Sequence, residues 1–364
     1  MYVKELDLKS FRNYESLSVS FDPGTNIFYG RNAQGKTNIL EAVYLGCTTK
    51  SHRGSKDRDL IRMGDDESHI RLKIDRRENE YRIDIHLKKN RAKGVAVNAM
   101  PVRKASDLYG IASLVFFSPE DLNMIKNGPA GRRRFLDLTL CGIDRVYMAD
   151  LSAYGKIVSQ RNALLHEAAY DPKRLAELDI WDIQLVETGK RIIKRRAEFL
   201  DLFGKMAAER HQALTDGGER LRISYEPNTE ADLLEMKTAR NRDMDLRTKE
   251  THAGPHRDDL SIRANGMDLR SYGSQGQQRT AALSMKMAEI SVIESLRGDK
   301  PVLLLDDVFS ELDRDRQNAL LSAIRDTQTL ITCTGLDDFI SHTFHADRIF
   351  RVENGTVTPD RAGT

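Results

Sequence analysis

Cysteine is scarce: the 364-residue chain has three, Cys47, Cys141 and Cys333, far apart and odd in number. That excludes a disulfide framework and any CxxC zinc or redox motif, so buried thiols are expected. Long apolar runs are also lacking. The longest, about seven residues at 111–117, falls far short of the roughly 18 needed to span a bilayer. At the N-terminus Val3, Leu6 and Leu8 alternate with charged residues, with none of the basic-then-apolar layout of a secretory signal, so a cytoplasmic protein with no membrane segment is expected. A charge excess of one sign is missing too. Lys+Arg number 57 against 55 Asp+Glu, a net +2, so no global field draws the chain to nucleic acid, although local basic patches suffice for phosphate contact.

What is present is a globular composition, 40% hydrophobic and 31% charged, with the length of two domains or of one large domain carrying an insertion. Alternating apolar positions predict strands through Val3, Leu6 and Leu8, through Leu17, Val19 and Phe21, at 70–74, at 81–87 and at 95–97. The fully apolar run at 114–117 reads as a buried strand beside these antiparallel ones. A short apolar run at 26–29 leads into a glycine-rich loop, and residues 37–45 beyond it have helical spacing, giving strand, loop, helix.

From about 132 to 214 strand signals are few. A helix is predicted through Val146 to Leu165, broken at Asp171-Pro172, and a second of about 35 residues follows. In it Leu178, Leu185, Ile192, Phe199, Met206 and Ala213 fall seven apart, with Val186, Ile193, Leu200, Ala207 and Leu214 one residue behind, a wide apolar face on a helical arm or subdomain. Residues 228–249 are polar and compatible with a helix. Strand character returns at 260–262, and Asn265-Gly266 and Asn354-Gly355 are hairpin signals.

Three local patterns carry chemistry. Gly30-Arg31-Asn32-Ala33-Gln34-Gly35-Lys36-Thr37 fits GxxxxGK[ST] between a predicted strand and a predicted helix. Its backbone N–H groups are suited to wrap a phosphate chain, Lys36 to reach the β- and γ-phosphates, and the Thr37 hydroxyl to ligate Mg²⁺. An ordinary glycine turn is the bland alternative. The apolar run at 302–305 ends in Asp306-Asp307, in which Asp306 would hold Mg²⁺ and Asp307 would orient or deprotonate an attacking water. Ser274-Gln275-Gly276-Gln277 opens a helical stretch, readable either as a Ser274 cap or as a second anion site.

This ordered set, followed by Ser310-Glu311-Leu312-Asp313, resembles the ABC-type ATPase heads of chromosome-maintenance and recombination proteins, and most closely the RecF family. Leu6 to Tyr14, the loop continued through Asn38 to Tyr44, Ser118-Pro119-Glu120-Asp121-Leu122, Gly131 to Asp137 and the Thr251-His252…Gly254-Pro255-His256-Arg257-Asp258-Asp259-Leu260 stretch carry the resemblance nearly end to end. It implies an α/β fold: an ABC-type P-loop ATPase head, with a mixed sheet, helices and an antiparallel β-subdomain, and an inserted α-helical lobe. The expected division is 1–125 and 249–364 for the head and 126–248 for the lobe. It also implies that ATP is bound by Gly30 to Asn38 of one subunit and by Ser274, Gln275, Gly276 and Gln277 of another, so that ATP closes a homodimer.

As implied by the resemblance, the activity is that of a weak, DNA-stimulated ATPase acting as a switch. The partners are double-stranded and gapped DNA with RecO and RecR, in recombinase loading, replication-associated repair and the damage response. Many ABC ATPases use glutamate as general base, whereas Asp307 is one methylene shorter, no Q-loop glutamine is identifiable near Ser118, and Thr334 stands where relatives place a switch histidine. Slow hydrolysis is the expectation. A structural chromosome-organising ATPase is the alternative, opposed by Thr188 and Arg195 in the second seam; a small-molecule phosphotransferase leaves Ser274 without a purpose. His252 and His256 are read as parts of a turn that positions Arg257 and Asp258, since Gly254-Pro255 forbids a helix between them. For DNA, four basic clusters are candidates: Arg53-Lys56-Arg58, Lys88-Lys89-Arg91-Lys93, Arg132-Arg133-Arg134 and 190–196, with Lys88 to Lys93, at a hairpin tip free of acids, the best of them.

Overall fold

The computed structural model describes residues 1–77, 79–103, 105–108, 110–168, 170–335 and 346–360. The chain divides into two compact units, one of Met1–Asp121 with Ile293–Thr364 and one of Leu122–Val292.

In the first unit, Val3 and Leu6 are three residues apart and out of phase for one face of a strand. β1 (Tyr2–Phe11) reconciles them through a register shift between Val3 and Glu5, so that Val3, Leu6 and Leu8 are all buried. It pairs with β2 (Tyr14–Ser20) and β4 (Glu67–Arg76), and β5 (Asn79–Lys88), β6 (Gly94–Val97) and β7 (Met100–Pro101) continue an antiparallel sheet of order β2-β1-β4-β5-β6-β7. A second sheet has the order β15-β14-β3-β13-β12-β8. In it β3 (Thr25–Tyr29), β8 (Leu114–Phe117), β12 (Val302–Asp306), β13 (Thr329–Cys333) and β14 (Arg348–Glu353) run parallel, and β15 (Thr356–Asp360) returns antiparallel at the edge.

The run at 114–117 therefore does not lie beside the antiparallel strands as its neighbours in sequence suggest. It pairs with β12, Val115 opposite Leu303, where a strand without polar alternation is covered on both faces. α1 (Lys36–Thr48) packs between the two sheets. Its Ile39, Leu40, Val43 and Leu45 share one core with Leu6, Leu72 and Ile85 of the first sheet and Leu304, Leu330 and Phe350 of the second. Each such side chain contributes about 1.5–3 kcal/mol by leaving water. α8 (Arg314–Ala323), capped by the Asp313 side chain, completes the unit.

The second unit contains α2 (Pro129–Ile143), α3 (Arg145–Ala168), α4 (Glu177–Leu214), α5 (Leu234–Thr248), the short α6 (Leu269–Tyr272) and α7 (Gln275–Arg297) up to Val292. With them is a three-stranded sheet, β11 (Met267–Asp268), β10 (Asp259–Ala264) and β9 (Leu221–Glu226), closed at Asn265-Gly266. α4 is 38 residues long and buries Leu185, Ile192 and Phe199 on the heptad, then Phe203, Ala207 and His211 at four-residue steps, while Ala213 is exposed. A straight helix of 3.6 residues per turn drifts off a seven-residue repeat in this way. Packed on α3, α5 and β9, α4 is the spine of a bundle and not a free arm.

Residues 249–292, expected with the head, group instead with the helical segment. Besides the β9–β10 pairing, Arg132 holds Asp259 through two hydrogen bonds of 2.7 Å. Buried Arg196 donates to Asp258 Oδ2 at 2.8 Å and to the Pro255 carbonyl at 2.6 Å. Asp258, 1% exposed, also accepts from Tyr225 and from the Asn228 N–H. The His252–His256 segment is a structural turn: His252 Nδ1 lies 2.8 Å from Asp245, and His256 bridges the Tyr154 hydroxyl and the Thr251 carbonyl. Among the described residues no helix is long and apolar enough to cross a membrane.

Candidate nucleotide site

In the parallel sheet β13 lies between β3 and β12, with Cys333 opposite Tyr29 and Asp306 opposite Thr332. The C-terminal ends of β3 and β12 therefore emerge at one end of the sheet, where a ligand meets loops and not strand backbone. Residues 30–35 leave β3 there and turn into α1. Gly30 has φ 154°, and a Cβ on it would stand 2.3 Å from the Val352 carbonyl oxygen; Gly35 has φ 109°. A side chain at Gly30 would displace backbone, and one at Gly35 would strain the left-handed φ and collide with the Asn13 and Tyr14 side chains. Among the described residues no acceptor meets the N–H groups of Gly35, Lys36 and Thr37, the orphan donors of a helix N-terminus and the basis of anion binding there.

Lys36 is 7% exposed and folds over this loop, its ammonium donating to the carbonyls of Gly30 at 2.5 Å and Arg31 at 2.9 Å. Burial lowers its pKa, opposed by the negative charges of Asp307 and Asp306. The Thr37 hydroxyl donates to Asp306 Oδ1 at 2.7 Å, and the Thr332 hydroxyl donates to the same oxygen at 2.7 Å. Asp307 sits in the left-handed region at φ 52°, a conformation that costs a non-glycine residue of order 1–3 kcal/mol and clusters at functional sites. Its N–H is held by Thr332 O and Oγ1, both at 3.1 Å, and its carbonyl accepts from Ser310 Oγ at 2.7 Å. Burial raises the Asp307 pKa and Lys36 opposes the rise. Lys36, Thr37, Asp306 and Asp307 thus meet at one place.

Ser274, Gln275, Gly276 and Gln277 belong to the second unit. Ser274 and Gln277 form a reciprocal cap on α7: the Gln277 N–H donates to Ser274 Oγ at 3.2 Å and the Ser274 N–H to Gln277 Oε1 at 3.0 Å. Ser274, Gln275 and Gly276 are exposed. Thr334 is exposed just beyond β13.

Sequence reasoning missed the residues that hold the loop from behind. The side chain of Asn13 donates to the Gln34 carbonyl at 3.0 Å and accepts from Asn38 at 2.8 Å. The hydroxyl of fully buried Tyr14 donates to the Gly35 carbonyl at 3.0 Å, and the Asn354 N–H reaches Gln34 Oε1 at 2.6 Å. In sequence Asn13 and Tyr14 stand out only as the end of the Leu6 to Tyr14 stretch and Asn354 only as a hairpin signal; nothing local links them to residue 34.

The basic clusters are less free than their sequence neighbourhoods suggest. Lys88 pairs with Glu67, Lys89 with Asp66 and Lys93 with Asp57, all acids from outside the cluster. Arg132 is spent on Asp259 and Arg133 on the Asp258 carbonyl. Lys190, Arg191, Lys194 and Arg195 each face a carboxylate.

Residues 2–358 match the family described as RecF/RecN/SMC N terminal domain. The chain is 54% identical over 357 residues to the DNA replication and repair protein RecF of Agathobacter rectalis, covering 98% of this chain and 99% of that one. Two solved structures, described as the recombination mediator protein RecF-ATPrS and RecF-ATP in the RecFOR pathway, superpose with TM-scores of 0.92 and 0.91. Both are at 36% identity and cover 99% of this chain and 98% of theirs.

Proposed function

The chain belongs to the RecF/RecN/SMC family, among the RecF DNA replication and repair proteins, and from that premise we propose that it is an ATP-gated DNA-binding clamp. The observation that carries this is the meeting of Lys36, Thr37, Asp306 and Asp307 beside a loop whose N–H donors lack acceptors. When ATP binds, Lys36 exchanges the carbonyls of Gly30 and Arg31 for the β- and γ-phosphate oxygens, and the N–H groups of Gly35 to Thr37 take the phosphate chain. Thr37 and Asp306 form an all-oxygen pair of the kind a hard cation takes. They would hold Mg²⁺, which when bound neutralises charge on the β- and γ-phosphates.

Asp307 is the residue that orients water or takes its proton. Its shorter side chain and constrained backbone support slow hydrolysis, as does Thr334 in the place of a switch histidine. Exposed Ser274 and Gln275 of one copy would meet the γ-phosphate held by the loop of another, so ATP is the link between copies. RecO and RecR as partners, action on double-stranded and gapped DNA, DNA stimulation of a weak ATPase, a role in the damage response and a cytoplasmic location complete the reading. They rest on the family and on the similarity to the RecF structures of the RecFOR pathway.

Analytical ultracentrifugation with and without Mg-ATP tests it, since the mass is expected to double on ATP and Ser274→Arg to bind ATP yet stay monomeric. An unchanged mass on ATP, or a dimer unaffected by Ser274→Arg, would refute the trans arrangement.

A further inference from the structure

The antiparallel sheet carries a group of side chains that the nucleotide site does not use. In the β4–β5 pair, His69 stands directly opposite His86 and Glu67 opposite Lys88. Residues two apart on a strand share a face, so Glu67, His69 and His86 project from the same side of the sheet. The two imidazoles lie nearly parallel, 23° between planes and 3.9 Å between centroids. Both turn Nε2 toward one carboxylate: His86 Nε2 is 3.0 Å from Glu67 Oε2, and His69 Nε2 is 3.8 Å from Glu67 Oε1. One donor atom from each of the three lies within 4.8 Å of the other two.

We propose that Glu67, His69 and His86 form a binding site for a divalent transition-metal ion of the zinc class on the outer face of this sheet. Two imidazoles and a carboxylate are a donor set that suits zinc, and hard cations such as Mg²⁺ and Ca²⁺ prefer oxygen alone. Bond lengths of about 2.0–2.2 Å to nitrogen and oxygen place tetrahedral ligand atoms about 3.3 Å apart. Glu67 Oε2 and Oε1 stand 3.0 and 3.8 Å from the two Nε2 atoms, either side of that figure, and all three donors lie within 4.8 Å of one another, so closing the site on an ion calls for side-chain adjustment.

One cation already faces the carboxylate, with Lys88 Nζ 3.2 Å from Glu67 Oε2. An exposed ion pair of that kind is weak, a small loss beside direct coordination. Three protein ligands leave a fourth position open, as in catalytic and not in closed structural zinc sites, and an oxygen or nitrogen of a second molecule is free to fill it.

The test uses the full chain, stripped with a chelator and titrated calorimetrically with zinc chloride alone, with Co²⁺ absorption as a spectroscopic second reading. One saturable equivalent is expected, with the visible band of tetrahedral Co²⁺. His69→Asn with His86→Asn should weaken binding by about tenfold or more, and Glu67→Gln by a smaller factor. These positions are exposed or half-exposed, and an unchanged metal-free melting curve checks that the variants fold. No zinc uptake by the unaltered chain overturns the proposal, and so does uptake that the double variant retains at full strength.

Discussion

Glu41 on α1 is fully buried and receives both arms of the Arg12 guanidinium, Nε at 2.8 Å and Nη2 at 3.0 Å, together with the Ser51 hydroxyl at 2.6 Å. Burial pushes the carboxyl pKa up, and the hydrogen bonds from Arg12 and Ser51 outweigh it, leaving the value below the ordinary 4.5. The partners are unequal, because the Arg12 side chain keeps 21% exposure and Glu41 none. Arg12→Met strands a carboxylate that water cannot reach, at about 3–5 kcal/mol. Glu41→Gln leaves a guanidinium able to turn toward solvent and an amide that still fills the site, at about 1–3 kcal/mol.

A unit of this size shifts its melting point by roughly 2–4 °C per kcal/mol, so Arg12→Met should lower it by roughly 6–20 °C and Glu41→Gln by roughly 2–12 °C. The sign with pH follows from the lowered pKa: the contribution is complete above the unfolded value and disappears as pH falls through the folded one. Glu41→Gln should therefore show a weaker acid dependence of melting than the unaltered chain. Scanning calorimetry at neutral and acid pH reads both effects. Arg12→Met melting within 2 °C of the unaltered chain, or Glu41→Gln costing more than Arg12→Met, would refute the reasoning.

Lys36→Ala should abolish binding of a fluorescent ATP analogue, and retained affinity would remove the loop from the nucleotide site. Asp307→Asn should bind ATP and persist as a dimer by ultracentrifugation; a monomer in ATP would contradict its role in hydrolysis alone. Tyr14→Phe deletes only the hydroxyl that holds the Gly35 carbonyl. A loss of about 0.5–1.5 kcal/mol predicts ATP affinity weakened roughly two- to tenfold with the fold intact, and unchanged affinity would show that the loop needs no such support. In the second unit Arg196→Met strands buried Asp258, so urea unfolding should lose about 3–5 kcal/mol; a loss under about 1 kcal/mol would mean that Tyr225 and Asn228 satisfy Asp258 without the arginine.

The phosphate loop was legible because its chemistry is local: the glycines, Lys36 and Thr37 lie within eight residues, and a backbone that bends between a strand and a helix needs those residue types wherever it occurs. The strand ending in Asp306-Asp307, the hairpin turns and the long α4 were legible for the same reason, since period and turn chemistry act over a few residues. What the chain could not disclose depends on partners far along it. The bulge that turns Val3 inward, the transfer of β8 to the parallel sheet, the acids that neutralise Lys88, Lys89 and Lys93, and the grip of Asn13, Tyr14 and Asn354 on the loop all join residues brought together only by folding. Residue 307 shows both halves: its carboxylate follows from a strand ending in acids, whereas its left-handed backbone, held by Thr332, exists only because β12 and β13 lie side by side.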